Sequence, residues 1–253
     1  MKQPYYEKEN VVLYQGDCGK ILKNICPKSV DMIFADPPYF LSNGGVTCQS
    51  GKQVSVNKGE WDKGMSPLEK LNYNRKWIRA CKEVLKDNGT IWISGTLHNI
   101  YSIGVALELE GFSIINNITW QKPNPAPNLA CRCFTHSTET IIWARKIDGK
   151  KKAHHFFNYD LMKEINGDKQ MKDVWLLNSP KKSEKTEGKH PTQKPESILE
   201  RIILASTYEG DVVLDPFNGS GTTGVVAKKL KRKYIGIEIE KDFLVTTKSR
   251  LCK

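Results

Sequence analysis

An apolar run, Val30-Asp31-Met32-Ile33-Phe34-Ala35, ends directly on Asp36-Pro37-Pro38-Tyr39. No other junction limits the fold as strongly. Six largely apolar residues closed by turn formers read as a strand buried on both faces, which is a feature of parallel sheets. Parallel strands need crossover connections, so the chain must be α/β. An acid at the carboxyl end of such a strand lies where open α/β sheets hold their ligands. The two prolines stiffen the turn and remove backbone donors. What remains is a carboxylate, outward carbonyls and an aromatic face, a set suited to a planar base with an exocyclic amine. The same residues also suit an ordinary turn, so the rest of the chain has to decide.

The remaining sequence alternates as an α/β domain should. Val11-Val12-Leu13-Tyr14 reads as a strand closed by Gly16-Asp17-Cys18, and residues 18 to 26 as a short helix. Residues 40 to 65, rich in Gly, Ser, Asn and Lys, read as one long loop of the kind that forms lids or binding loops. Ser66 as N-cap and Pro67 at the first position open a helix to about Lys86. Strands are expected at 89–94, 112–120 and 139–144, with a helix at 98–110 closed by Gly111. From Pro195 come a helix to Ser206, a strand at Val212–Leu214, a helix, a strand at Tyr234–Ile237 and a terminal helix. The 253 residues fit a single domain, 1–253.

Residues 146–194 break this pattern. They hold 12 lysines and no arginine against seven acids, interleaved with His154, His155, Phe156, Phe157, Tyr159 and Trp175. They read as an insertion, either a solvated basic excursion or a binding segment. The whole chain is basic, with net charge +11 and pI about 9.2, which favours a polyanionic partner, nucleic acid being the commonest. Seven cysteines is an odd number, and Cys131 and Cys133 stand one residue apart, not at zinc spacing. Reduced thiols in a cytoplasmic protein without a metal site are the expectation. Met1-Lys2-Gln3-Pro4 does not resemble a signal peptide, and no apolar run is long enough to cross a membrane.

The second informative junction is Leu214-Asp215-Pro216-Phe217-Asn218-Gly219-Ser220-Gly221-Thr222-Thr223-Gly224. It satisfies the dinucleotide pattern G-x-G-x-x-G, and Glu238 follows at the end of the next strand. A Rossmann dehydrogenase therefore competes. Two observations oppose it. The turn comes too near residue 253 for a second mononucleotide half. Asp215 and Phe217 also place a carboxylate and a ring where a pyrophosphate would want small residues. A ligand with adenosine at one end and an α-amino acid at the other fits better. Asp215 would take the ammonium, helix-terminal amides with Thr222 and Thr223 the carboxylate, Glu238 the ribose, and Asp17 the adenine amino group. That ligand is S-adenosylmethionine.

Taken together, the motifs resemble the β-class amino-group DNA methyltransferases. In that family Asp-Pro-Pro-Tyr comes early and Phe-x-Gly-x-Gly late, here Asp36-Pro37-Pro38-Tyr39 and Phe217-Asn218-Gly219-Ser220-Gly221. Its His-x-x-x-Lys-Pro segment appears as His190-Pro191-Thr192-Gln193-Lys194-Pro195, and its opening Gly-Asp as Gly16-Asp17. The resemblance implies a Rossmann-like methyltransferase fold with a seven-stranded, mostly parallel sheet, one reversed strand and a circularly permuted motif order. It also implies that 146–194 is the target-recognition segment. Thr119-Trp120-Gln121-Lys122, Asn124-Pro125-Ala126-Pro127-Asn128 and Phe134-Thr135-His136-Ser137-Thr138-Glu139-Thr140 are similar to the adenine methylases that recognise GATC and accompany DpnII-type restriction enzymes.

The implied chemistry centres on Asp36. Adenine N6 is a poor nucleophile because its lone pair is delocalised, and Asp36 with the Pro37 carbonyl can accept from the amino group and free that lone pair. Tyr39 stacking on a flipped base would contribute about 1–3 kcal/mol. The resemblance associates Asp at this position with adenine and Ser more often with cytosine N4. Cofactor candidates are Asp17, Cys18, Lys194, Asp215, Phe217, Gly219, Gly221, Thr222, Thr223 and Glu238, with Lys194 alternatively capping a helix. DNA candidates are Lys122, Asn124, Arg132, Lys151, Lys152, Lys181 and Lys182. Trp120 and Trp143 are expected to pack rather than grip DNA. A cognate restriction endonuclease and a homodimer stay open as partners. The competing functions are cytosine-N4 methylation and a catalytically silent DNA-binding protein on the same fold.

Overall fold

The computed structural model describes residues 3–40, 46–49, 52–55, 64–147, 149, 154–185 and 193–252. The chain opens with β1 (Tyr6–Lys8), β2 (Val11–Gln15), the one-turn helix α1 (Cys18–Ile21) and β3 (Val30–Ala35). Two short strands, β4 (Val46–Gln49) and β5 (Lys52–Ser55), precede α2 (Pro67–Val84) and β6 (Leu85–Gly95). Then come α3 (Ile100–Leu109), β7 (Phe112–Gln121), β8 (Thr138–Lys146), α4 (Tyr159–Glu164) and β9 (Val174–Leu176). The chain closes through α5 (Glu196–Ser206), β10 (Val212–Asp215), α6 (Thr222–Lys229), β11 (Lys233–Glu238) and α7 (Lys241–Leu251).

One sheet carries the fold, in the order β1-β2-β11-β10-β3-β6-β8-β7-β9. From β2 to β7 it has the expected seven strands, six parallel and β8 reversed. The sheet is larger than expected, nine strands rather than seven. β1 adds antiparallel to β2, and β9 adds parallel to β7. Each is a three-residue edge strand, too short for a period-two pattern to show.

β3 explains why its sequence is almost continuously apolar. Met32 and Phe34 face one layer, with Ile198, Ile202 and Val226 of the α5–α6 side. Ile33 and Ala35 face the other, with Trp77, Ile78 and Ile103 of α2 and α3. Side chains alternate along the strand, but both faces are covered. Each fully buried Ile or Phe contributes about 1.5–3 kcal/mol. Trp92 stacks on Trp143 with ring centroids 4.6 Å apart, and Trp120 and Trp143 pack in the core as expected.

Local signals are largely realised. Ser66 and Glu69 form a reciprocal capping box at α2, and Gly111 closes α3 at φ +76°. Three expectations need correction. The helix expected over 18–26 stops at Ile21, passes through a 3-10 turn and turns extended at Ile25, two residues before Pro27, which cannot continue a helix. The long loop expected over 40–65 contains the antiparallel pair β4–β5. Residues 146–194 are not merely a basic excursion, because β9 completes the sheet edge and Met162 and Trp175 are buried in the core.

Gly224, the third glycine of the late turn, is a packing requirement. A Cβ there would lie 2.5 Å from the buried Tyr234 ring, whose hydroxyl donates to Asn218 Oδ1 at 2.8 Å. Gly224→Ala is expected to destabilise the protein by about 1–3 kcal/mol through overpacking, read as a lowered urea midpoint. An unchanged midpoint would show that the Tyr234 layer yields freely.

Candidate active site

The carboxyl ends of adjacent parallel strands bring four acids to one edge of the sheet. Asp17 follows β2, Asp36 follows β3, Asp215 ends β10 and Glu238 ends β11. They open on a cavity of about 340 Å³. All catalytic and cofactor candidates except Gly221 line it.

The late turn is built around its own acids. Asp215 is buried, its Oδ1 accepting from Phe217 N at 3.0 Å and its Oδ2 from the Thr223 hydroxyl at 2.6 Å. Burial pushes its pKa up to about 7, against the pull of those two hydrogen bonds. Thr223 thus spends its donor on Asp215, not on a ligand carboxylate as expected. Glu238 accepts from Gly219 N at 2.7 Å and Glu240 N at 3.0 Å, and burial raises its pKa while these amides oppose the rise. Gly221 sits outside the cavity wall as the N-cap of α6 at φ +74°, where a Cβ would lie 2.4 Å from Thr247. Arg250, which sequence reasoning missed, donates to the Ser220 carbonyl at 2.8 Å and to Thr222 Oγ1 at 3.0 Å. Asp17 caps α1 by accepting from Lys20 N at 3.0 Å. Beside it Cys18 is buried, its thiol pushed up to about 12 by burial and the Asp17 charge, so it is a neutral wall.

The Asp36 corner is held from several directions. Tyr39 donates its hydroxyl to Asp36 Oδ1 at 2.7 Å, and Lys194 donates to Asp36 Oδ2 at 2.7 Å and to the Tyr39 oxygen at 2.9 Å. Asn99 donates to the Pro38 carbonyl at 3.2 Å and accepts from Thr96 N, which fixes the diproline turn. Behind the corner, Ser94 Oγ lies 3.3 Å and Glu139 Oε2 3.5 Å from the Tyr39 oxygen. Glu139 Oε2 is also 3.4 Å from Lys194 Nζ. Lys194 is buried, and the residue that caps α5 is Pro195, so the helix-capping alternative falls away. Burial alone would lower the Lys194 pKa, but Asp36, Tyr39 and Glu139 outweigh it and hold the ammonium charged. Tyr39 is pushed well above the usual phenol range by burial and Asp36.

Among the DNA candidates, Lys122 is turned inward. It pairs with Glu139 Oε1 at 2.5 Å and lies 4.8 Å from the centre of the Trp120 ring. Asn124 and Arg132 are exposed between β7 and β8, and Lys181 and Lys182 are exposed after β9. Lys151, Lys152 and His190 lie outside the described residues. Sequence reasoning also missed Ser94, Asn99 and Glu139 as parts of the corner. The one available signal was Glu139 itself, an acid beginning an otherwise apolar strand. Among the described residues no group of three His, Cys, Asp or Glu could hold a metal ion, and no helix is long and apolar enough to cross a membrane.

The donor set suits S-adenosylmethionine. A buried carboxylate at about 7 calls for a cation beside it, and the acids at the β2 and β11 tips line the same cavity. Fold and site together define an α/β methyltransferase. The family profile described as DNA methylase matches residues 30–249, and the chain belongs to that family. It is 67% identical over 253 residues to the type II methyltransferase M2.LlaDCHI of Lactococcus lactis subsp. cremoris, covering 100% of this chain and 93% of that one. It is 66% identical to M2.DpnII of Streptococcus pneumoniae, covering 99% and 93%. Among solved structures, the M1.HpyAVI–SAM complex matches at TM-score 0.70 and 33% identity, covering 95% and 98%. The cytosine-N4-specific PvuII DNA methyltransferase shares the fold at TM-score 0.78 and 19% identity, covering 98% and 89%. The chain is a site-specific DNA methyltransferase with S-adenosylmethionine as its cofactor.

The Asp215 carboxyl is raised from 3.8 to about 7 in the fold. The folded state therefore binds the extra proton between those values, and stability falls as pH rises from about 4 to about 7, then levels. Asp215→Asn is expected to flatten this slope by an amount on the order of a few kcal/mol over the window. Urea unfolding at pH 5 and 7.5 without added cofactor checks it, and equal slopes in the two proteins would contradict it.

Proposed function

We propose that this enzyme methylates the N6 amino group of adenine in DNA, within GATC, and that Asp36 is the residue that receives the amino group. The observation that carries this reading is the placement of Asp36 at the β3 tip, on the same cavity as Asp17, Asp215 and Glu238. S-Adenosylmethionine, when bound, supplies the electrophilic methyl group. Asp215 would hold its ammonium, Glu238 and Asp17 its adenosine, and Phe217 an apolar wall. The Phe217 ring is braced edge-on by Trp77 at 5.2 Å. Thr222, the Gly219–Gly221 turn and the amides opening α6 remain for the carboxylate.

At the target, Asp36 and the Pro37 carbonyl accept the two amino hydrogens and draw the nitrogen toward tetrahedral geometry. Positive charge growing on that nitrogen is stabilised by the Asp36 carboxylate. The methylated ammonium is strongly acidic, so it gives up its proton readily by way of Asp36. Taking the base out of a duplex costs about a few kcal/mol, which Tyr39 offsets in part by stacking. Exposed Asn124, Arg132, Lys181 and Lys182 would contact the DNA, Lys151 and Lys152 are further candidates by sequence, and 146–194 contributes the recognition segment. A restriction endonuclease of the same specificity is the functional partner, and the enzyme works in the cytoplasm.

Methylated DNA digested to nucleosides should contain N6-methyladenine, mapped by sequencing to GATC. N4-methylcytosine would overturn the base assignment. Asp36→Ala is expected to lower kcat about 10³-fold while the cofactor Kd stays within about threefold. Substantial residual turnover would remove Asp36 from the centre of the reaction.

A further inference from the structure

Asp36 cannot serve an incoming amino group fully in the arrangement seen here. Its Oδ1 already accepts from Tyr39 and its Oδ2 from Lys194, each at 2.7 Å. Carboxylate oxygens have spare lone pairs, so geometry alone does not block a further donor. Charge does. An ammonium 2.7 Å from Asp36 neutralises the carboxylate and stands against the positive charge that grows on the target nitrogen.

The surroundings contain a way out. Each group now holding Asp36 has a second acceptor within 3.5 Å. The Tyr39 hydroxyl has Ser94 Oγ at 3.3 Å and Glu139 Oε2 at 3.5 Å, and the Lys194 ammonium has Glu139 Oε2 at 3.4 Å. Glu139 is prepared for this. Its other oxygen is fixed by Lys122, its side chain is only 13% exposed, and the flanking lysines keep it ionised against the cost of burial. It does not line the cavity and stands behind the corner.

Resting on the reading of Asp36 given above, we propose that Glu139 is a positioning residue that takes over the Lys194 ammonium when Asp36 turns to the target amino group. No covalent bond changes in this step and no proton need move. A hydrogen bond from Lys194 to Asp36 is exchanged for one to Glu139. Lys194 therefore acts as a restraint on Asp36 between turnovers, and Glu139 is what makes the restraint releasable.

The test uses Glu139→Gln, which keeps the shape and a hydrogen-bonding oxygen but removes the charge. Its kcat is expected to fall about 30-fold, with KM for DNA and the cofactor Kd within about threefold. Lys194→Met removes the restraint and is expected to cost about fivefold. Once Lys194 is gone, removing the Glu139 charge takes away no takeover of the ammonium, so the kcat of the double variant should match Lys194→Met within about twofold. That double variant leaves no unpaired Lys194, and Lys122, which loses its Glu139 partner, keeps a side chain 25% exposed to solvent, so the comparison stands even if Glu139→Gln alone does not fold. A kcat for folded Glu139→Gln within threefold of wild type would overturn the proposal. So would a double variant tenfold or more below Lys194→Met. Turnover is read as labelled methyl in total DNA, so a wrong base assignment shows only in the nucleoside digest and leaves this comparison intact.

Discussion

The hydrogen-bonded ion pair between Lys194 and Asp36 joins residues 158 positions apart in the chain, and the resting geometry of the site is built on it. The motif order places the proposed target-binding corner early and the proposed cofactor turn late, so the two must be brought together by tertiary contact. The sheet does this in part, because β10 lies directly beside β3. Lys194 does the rest, reaching from the start of α5 to the acid at the β3 tip.

Charge is divided in a way that fits the chemistry. The chain carries a net +11, while the cavity at the strand tips gathers Asp17, Asp36, Asp215 and Glu238. A basic exterior attracts a polyanion, and on the reading proposed above the acidic interior would hold a cationic cofactor and support a nitrogen that becomes positive. Most of these acids are satisfied internally. Glu238 is held by two backbone amides and Asp215 by Thr223 and Phe217 N. They are preorganised dipoles as much as ligand contacts, which limits the reorganisation needed at the moment of reaction.

What could be read from the sequence was whatever chain-local physics controls. The β3 run ending on Asp36 and the strand–turn–helix around Gly219 are set by burial and turn chemistry within a few residues, and both stand where they were expected. β1 and β9 were not legible because three residues cannot show a period, and β4–β5 because their alternation lies among Gly, Ser and Lys. The partners of the corner were hidden for a different reason. Ser94, Asn99 and Glu139 come from β6, the start of α3 and β8, and only sheet order reveals that they meet Tyr39 and Pro38. Lys122 looked like a DNA contact from its loop, yet Glu139 draws it inward.

Asp36 is proposed to grip the amino group of the target base. This is tested most directly by a binding cycle between that carboxylate and that amino group. Two GATC duplexes would be compared, one with adenine at the target and one with purine, which lacks the amino group, each bound by the wild-type enzyme and by Asp36→Ala with cofactor present. Asp36→Ala is expected to weaken binding of the adenine duplex about tenfold and to leave binding of the purine duplex unchanged. Equal losses on both duplexes would contradict it.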